Sequence, residues 1–526
     1  MPASTTVFRA HSAVYEDPAT GRTVTGPAEI FVSDGMITQI RSKSCGASPE
    51  VDRQGEAPAD SALAAQVPPD QTVDVPPTHV LIPGLVDTHV HVNEPGRTEW
   101  EGFATVTRAA AAGGVTTLLD MPLNSIPSTT SLKALATKRE IAAQKAKITV
   151  GFWGGAVPEN VGTGELRALW ETGRVFGFKC FLLHSGVDEF APLNRDQLYT
   201  AMREIAEFDG LLIVHAEDPG VINETEQAQQ EAGGITEVYR TFELPRPDSA
   251  ETAAIRTVIE AAEATGCRAH ILHLSSAQSL PIIRDAKNRG VRITAETCPH
   301  YLSLFSEEIH NGATQFKCCP PIRCAENREE LWKGLVDGVI DMVVTDHSPC
   351  TAELKKFAAA ARDMRDHAFS AVASSGNDLG GKGADARGAQ GSFGDAWGGV
   401  ASVQLGLPVV WSQARRRGLD LSSVVGWMCT KPARWAGLPD RGAIRVGARA
   451  DFAAIAADDA FVVLPECLYH RNKVTAYAQQ ALAGLVTHTW IAGSLVYRRP
   501  QIADDRSDAN VFPHPIVPLL SRPEGE

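Results

Sequence analysis

The sequence predicts an α/β protein: a (β/α)8 barrel of the TIM type with a small β-sandwich made from both ends of the chain. Three observations carry this expectation. Eight short, β-rich apolar runs recur through the middle of the 526-residue chain, separated by segments with helical apolar spacing. β-like runs with polar turns bracket that region on both sides. Histidines, a lysine and an aspartate recur at the C-terminal ends of the central runs, where such a barrel carries its chemistry.

In order, the central runs are "VLIPGLVDTH", "VTTLLDMP", "ITVGFWGGA", "VFGFKCFLL", "LLIVHAE", "AHILHLSS", "VRITAETCPH" and "DMVVTDHSPC". Between them, segments such as "EWEGFATVTRAAAAGG" and "SLPIIRDAKNRG" repeat apolar residues at the period of an amphipathic helix. Eight units in series predict a barrel. A doubly wound open sheet would show the same alternation, because strand number alone does not settle closure. Near the start, "TVFRAHSAVYED", "AEIFVSDGMITQIRS" and "QTVDVPP" are β-like; "AIRVGARADFAAIA" and "VTHTWIAGSLVYR" repeat that character near the end. The expected division is residues 1–80 for the first portion of the sandwich, 81–439 for the barrel, and 440–526 for the second portion with a C-terminal tail. Residues 46–70, rich in Pro, Ala and Asp, read as a surface loop; residues 357–392, rich in Gly, Ala and Ser, read as an insertion within the barrel.

Composition narrows the function. Hydrophobic residues at 44% and charged residues at 21% describe an ordinary globular protein. A formal net charge of −14 argues against nucleic acid or an anionic membrane surface as a partner. No apolar run approaches the roughly 20 residues that span a bilayer, and "MPASTTVFRA" lacks the basic-then-apolar order of a secretory signal. Ten cysteines without a CxxC pair read as the reduced thiols of a cytoplasmic protein.

The chemistry begins in "HVHVNEPGRTEWEGF", where His89 and His91 end the first central run. Two apart on a strand, they face the same side, and two neutral imidazoles converging on one point make half a metal site. Other runs supply the rest: Lys179 in "GFKCF", His215 in "IVHAED", His273 in "ILHLSS" and Asp346 in "VVTDHSP". A buried histidine met singly is more often a satisfied core residue than a ligand. Several at corresponding strand ends are hard to ascribe to coincidence. Lysine is the odd member, since an ammonium is repelled by metal cations. As a neutral amine it can take up carbon dioxide to give a carbamate, an anion able to bridge two metals. The plainer reading pairs Lys179 with a carboxylate or lets it reach solvent. Two bridged metals about 3.5–4 Å apart generate a nucleophile at neutral pH, and Asp346 is placed to accept its proton and pass it to a leaving nitrogen. His270 reads as packed against a helix, and His300 in "CPHYL" as either core or support for the site.

With these residues in place, the chain resembles the cyclic amidohydrolases of the amidohydrolase superfamily, the allantoinases most closely. The resemblance runs from about residue 26 to 498 and rests on "PGLVDTHVH", "NEPGRTEWEGF", "DMPLNSIPST", "GFKCF", "HAED", "HLSS", "KCCPPIR" and "TDHSPCTAELK". It implies two Zn2+ ions held by His89, His91, His215, His273 and Asp346 and bridged by N6-carboxylysine at Lys179. It further implies hydrolysis of the hydantoin ring of allantoin to allantoate in purine degradation, a small-molecule substrate, and a homotetramer. Dihydroorotases are similar in the same ligands but read HxHxREPG, where this chain has Asn93. An arginine there would clamp a substrate carboxylate, whereas a neutral amide suits a ureido group. If the strand continues past His91, Asn93 shares its face, while Arg97 holds the loop through Glu94, Glu99 or Glu101. Dihydropyrimidinases carry a tyrosine five residues after the lysine; here His184 takes that place and becomes the candidate for the oxyanion. Asn93, Asn124, Cys318 and Ser348 are candidate substrate contacts, each equally able to hold its own loop. A non-catalytic relative that kept the fold as a scaffold would have no reason to retain all six ligand residues.

Overall fold

The computed structural model describes residues 5–42, 71–357, 391–500 and 519–523. The loop expected at 46–70, nearly all of the insertion expected at 357–392 and most of the C-terminal tail lie outside the described residues. The chain opens with β1 (Thr5–Glu16), β2 (Thr23–Ser33), β3 (Met36–Ser42), β4 (Gln71–Asp74) and β5 (Val80–Pro83). The central strands are β6 (Leu85–Val90), β7 (Val115–Asp120), β8 (Thr149–Phe152) with its short continuation β9 (Gly154–Gly155), and β10 (Phe178–Phe181). They continue with β11 (Leu211–His215), β12 (Arg268–Ile271), β13 (Ile293–Thr297) and β14 (Met342–Val343). The last strands are β15 (Phe452–Val462), β16 (Ala481–Ile491) and β17 (Ser494–Arg498).

Parallel pairing runs β6–β7–β8 and then β9 through β14 in sequence order. The circle closes between β14 and β6. Thr345 donates from N (3.2 Å) and from Oγ1 (2.5 Å) to the Asp87 carboxylate, and Val90 bridges His347 in parallel. That closure excludes the doubly wound sheet. β6, β7, β10 and β11 are buried at every residue, as strands are when a filled interior and a helical ring cover both faces. The connecting helices follow their sequence signals. Arg195–Ala206 starts on a capping box of Asn194 with Gln197 and buries Leu198, Ala201, Met202 and Ile205 on one face. Asp248–Thr265 carries Asp248 and Glu251 in its first turn and ends where Gly266 turns left-handed. Among the described residues no helix is long and apolar enough to cross a membrane.

The run "VLIPGLVDTH", read as one strand, is two. β5 belongs to the terminal sheet and β6 to the barrel, and the chain changes sheet at Gly84. A side chain at Gly84 would collide with Thr116, and its N–H donates to Asp451 O at 2.8 Å.

Strands from both chain ends form one sheet in the order β17–β16–β15–β5–β1–β2–β3, with β4 parallel beside β1. β1 and β16 stand three strand spacings apart, roughly 14 Å in a flat sheet. Yet the rings of Phe8 and Trp490 approach to 5.6 Å. The sheet therefore curls over its own apolar face, burying Phe8, Ile30, Ile40, Phe452 and Trp490. The expected sandwich is one continuous sheet folded over.

Candidate active site

The six ligand-type side chains meet at the C-terminal mouth of the barrel. His89 lies in β6 and His91 just beyond it; Lys179 is in β10, and His215 ends β11. His273 and Asp346 follow β12 and β14. All six are buried. Lys179 Nζ stands 3.4 Å from His89 Nε2 and 3.5 Å from His91 Nε2. Asp346 Oδ1 faces the same two nitrogens at 3.2 and 3.7 Å. His215 Nδ1 and His273 Nε2 are 2.9 Å apart. His273 and Asp346 hold left-handed backbone, with φ of 35° and 43°. Such conformations cost of order 1–3 kcal/mol each and persist where a side chain must be aimed against backbone preference.

A divalent cation fits this donor set. Imidazole nitrogens and a carboxylate are ordinary ligands for zinc-like ions, and the ligand atoms of His89, His91 and Asp346 lie within 4.8 Å of one another. Burial pushes the Lys179 ammonium down to about 8, although Asp346 and Glu296 pull the other way. That moves Lys179 toward the neutral amine, the form able to take up carbon dioxide. Burial likewise pushes the Asp346 carboxyl up to about 8, with the Lys179 charge opposing.

Sequence reasoning missed two carboxylates that aim these imidazoles. Glu296, in β13, accepts from His89 Nδ1 at 2.5 Å, which turns Nε2 toward the centre. Its other oxygen is 3.1 Å from Nε2 of His270, whose ring packs on Trp435 of a helix as expected. Glu217 accepts from His215 Nε2 at 2.7 Å, leaving Nδ1 for the centre, and receives Arg246 Nη1 at 3.1 and 3.2 Å. Burial alone would raise the Glu217 carboxyl; Arg246 and His215 hold it down at about 2. Partners of this kind fix the tautomer and the orientation of ligand histidines. The available signal was a carboxylate within or just after a β-rich run, in "ITAET" and "IVHAE". Asp120 has a comparable role farther from the centre: it accepts from Val92 N at 2.9 Å and pairs with Lys138 at 2.8 Å, holding the turn after His91.

A cleft of about 340 Å³ opens above the centre, and Asn124, His184, Cys318 and Ser348 line it together with His91, Lys179, His215, His273 and Asp346. Asn124 Nδ2 is 3.5 Å from His91 Nδ1. His184 stands at the mouth, its side chain 63% exposed, and lies 3.5 Å from Asp188. Asn93 is not among the lining residues. The expected continuation of the strand fails: β6 ends at Val90, and Asn93 adopts a left-handed φ of 66°, which asparagine tolerates better than most residues. Its amide donates to Pro349 O at 3.3 Å instead. Arg97 does hold its loop, but through Glu189 and the Asn124 carbonyl (2.8 Å) rather than Glu94, Glu99 or Glu101. Glu94 is taken by Lys145 and the N–H of Phe103, and Glu101 by His347 at 3.3 Å. Apart from Lys179, the cationic side chains that reach the cleft are Arg246 and Lys317, both already engaged.

One wall of the cleft is the segment 394–399. Lys317 Nζ donates to Ala396 O (2.6 Å) and Gly394 O (3.2 Å). Lys355 Nζ donates to Gly399 O (2.6 Å) and Trp397 O (2.9 Å). Gly399, at φ 143°, rests so closely on Ser348 that a side chain there would collide with it.

The geometry agrees with what this chain is similar to. The amidohydrolase family model matches residues 80–496. An allantoinase of Streptomyces avermitilis is 48% identical over 472 residues, covering 90% of this chain and 92% of that protein. The allantoinase of Saccharomyces cerevisiae is 41% identical over 421 residues, 79% of this chain and 82% of that protein. That of Arabidopsis thaliana is 39% identical over 437 residues, 81% and 79%. Two solved structures share the fold. The L-hydantoinase (dihydropyrimidinase) from Arthrobacter aurescens gives a TM-score of 0.77 at 24% identity, covering 94% of this chain and 97% of that one. A D-hydantoinase from Bacillus sp. AR9 gives 0.78 at 22%, covering 99% and 100%. The family match takes in every barrel strand, and the relatives align over most of the chain. This protein is a hydrolytic enzyme belonging to the amidohydrolase family.

Proposed function

We propose that the protein hydrolyses the hydantoin ring of allantoin to allantoate, with two zinc ions held by His89, His91, His215, His273 and Asp346 and bridged by Lys179 as N6-carboxylysine. The observation that carries this reading is the meeting of all six side chains beneath one cleft, in a chain 48% identical to an allantoinase. When bound, the metal pair polarises the ring carbonyl and lowers the pKa of water toward neutrality. The protein's own groups do the rest. Asp346 takes the proton of the attacking water and delivers it to the ring nitrogen. The carbon–nitrogen bond breaks, the water oxygen remains in the new carboxylate, and the nitrogen leaves as the NH2 of a ureido group. Glu296 and Glu217 keep His89 and His215 aimed, and Phe181 lies flat on the His215 ring at 4.6 Å. Asn124, Cys318 and Ser348, which line the cleft, contact the substrate in this reading. His184, exposed at the mouth, meets the outer end of the substrate in this reading rather than the oxyanion.

The test compares turnover of allantoin, dihydroorotate, dihydrouracil and hydantoin by the metal-loaded protein. Allantoin should turn over clearly and dihydroorotate little. Arg246 is already held by Glu217 and Glu226, and Lys317 by main-chain carbonyls. A carboxylate entering the cleft would then lack a free partner, a penalty of a few kcal/mol. Preferred turnover of dihydroorotate, or of dihydrouracil or hydantoin, would move the assignment to those activities. We also propose a cytoplasmic homotetramer divided near residues 80 and 440, with no nucleic-acid or membrane partner; the charge of −14 supports that absence. Mass measured in solution tests the tetramer.

A further inference from the structure

Beside Asp346 lie two further ligand-type side chains, Cys298 and His300, that the reaction does not use. Cys298 and His300 flank the start of the short helix Pro299–Ser303 that follows β13. Ligand atoms of Cys298, His300 and Asp346 lie within 4.8 Å of one another, and all three residues are buried. His300 is fully buried, and neither of its ring nitrogens has a hydrogen-bond partner among the described residues. Its ring rests on Tyr301 at 4.2 Å, whose hydroxyl is already given to Pro320 O at 2.6 Å. A buried imidazole with both nitrogens unmet is an uncommon and costly arrangement in a folded protein. Its environment offers a thiol and a carboxylate in place of a hydrogen-bond partner.

We propose that Cys298 and His300, sharing Asp346 with the first centre, form a second site for one borderline or soft divalent cation, Zn2+ in excess or Cd2+, and that filling it inhibits the enzyme. A thiolate with an imidazole selects such ions over magnesium or calcium, which prefer oxygen. Ligands at about 2.0–2.3 Å in a tetrahedral shell stand about 3.5 Å apart. The ligand atoms of the three side chains, within 4.8 Å of one another, draw inward to reach that spacing. Binding breaks the Cys298 S–H bond, forms a sulfur–metal bond and releases the proton to solvent. The ion reaches the site from the cleft, where Asp346 and Cys318 are exposed to it. Inhibition follows from the shared carboxylate: drawn toward Cys298 and His300, it turns away from the Nε2 atoms of His89 and His91, now 3.2 and 3.7 Å from it.

The test adds Cd2+ to the metal-loaded enzyme and follows bound cadmium per chain, released zinc, thiolate-to-cadmium absorption in the ultraviolet, and activity. One further equivalent of cadmium should bind without release of zinc, bringing the absorption and loss of activity. Cys298→Ser should keep basal activity, lose this absorption, and need at least about tenfold more cadmium for inhibition. His300→Gln keeps the thiol; it should retain the absorption while weakening cadmium binding at least about tenfold, which decides the matter if the serine variant does not fold. Binding and inhibition unaltered in either folded variant would overturn the proposal by placing cadmium on other thiols such as Cys318 and Cys319. Displacement of zinc in place of extra binding would also overturn it. The metal readouts need no substrate, so a failed allantoin assay leaves this test intact.

Discussion

In the proposed mechanism Asp346 carries the proton as well as holding metal. Asp346→Asn keeps the shape but replaces one acceptor oxygen with an NH2 donor and cannot carry the proton. Turnover should fall by about 10²–10⁴ while thermal unfolding stays near that of the parent. Near-normal activity would remove Asp346 from proton transfer. Lys179 makes the complementary case: Lys179→Ala should bind less metal and lose activity, and a short added carboxylate should restore some of each by replacing the missing bridge. Metal analysis with and without the carboxylate checks it; full metal content in Lys179→Ala would exclude a bridging role. These residues were legible because their types recur at strand ends, where a barrel exposes side chains. Glu296 was not, because its meaning comes from His89, a strand on the far side of the sequence. Asn93 was misread for a related reason: a left-handed residue three positions beyond the end of a strand leaves no mark in side-chain alternation.

At the scale of elements, the cleft wall 394–399 is held by amines as well as by the packing of Trp397 on Trp100. Lysine is ordinarily read as a solvent-facing residue, so "KCCPPIR" and "TDHSPCTAELK" revealed a resemblance without revealing this use of Lys317 and Lys355. Lys355 is buried, and three carbonyls, those of Lys317, Trp397 and Gly399, accept from its ammonium. Lys355→Met fills the space but leaves those acceptors unmet, at about 1–3 kcal/mol for each buried one. The variant should unfold at lower temperature and show a raised KM, with metal content unchanged because no proposed ligand moves. A KM equal to that of the parent would show that the wall does not bear on the substrate. The break at Gly84 was hidden in the same way. Its run is apolar on both sides of the glycine, and the strand pairing, β5 with β15 and β6 with β7, shows the change of sheet there.

For the molecule as a whole, the alternation of strands and helices made the barrel legible, and the β-like character of both ends was legible too. What could not be read was that those ends pair directly, since propensity describes a segment and not its partner. The pairing is specific: Val80–Pro83 of β5 lie antiparallel to Phe452–Ile455 of β15, and β5 continues through Gly84 into the strand that bears His89. This has a consequence for how the chain is made. During translation β5 leaves the ribosome long before β15 exists, so its outer edge and the apolar face around Phe8 stay uncovered until nearly all the barrel has been synthesised. A contact between segments so distant in sequence forms slowly, because a long loop must close first. In the interval the nascent chain carries an open strand edge, the feature that draws chains into aggregates. Among the described strands, those made latest are therefore the ones that close β5, and a polypeptide stalled before them would depend on chaperones however complete its barrel.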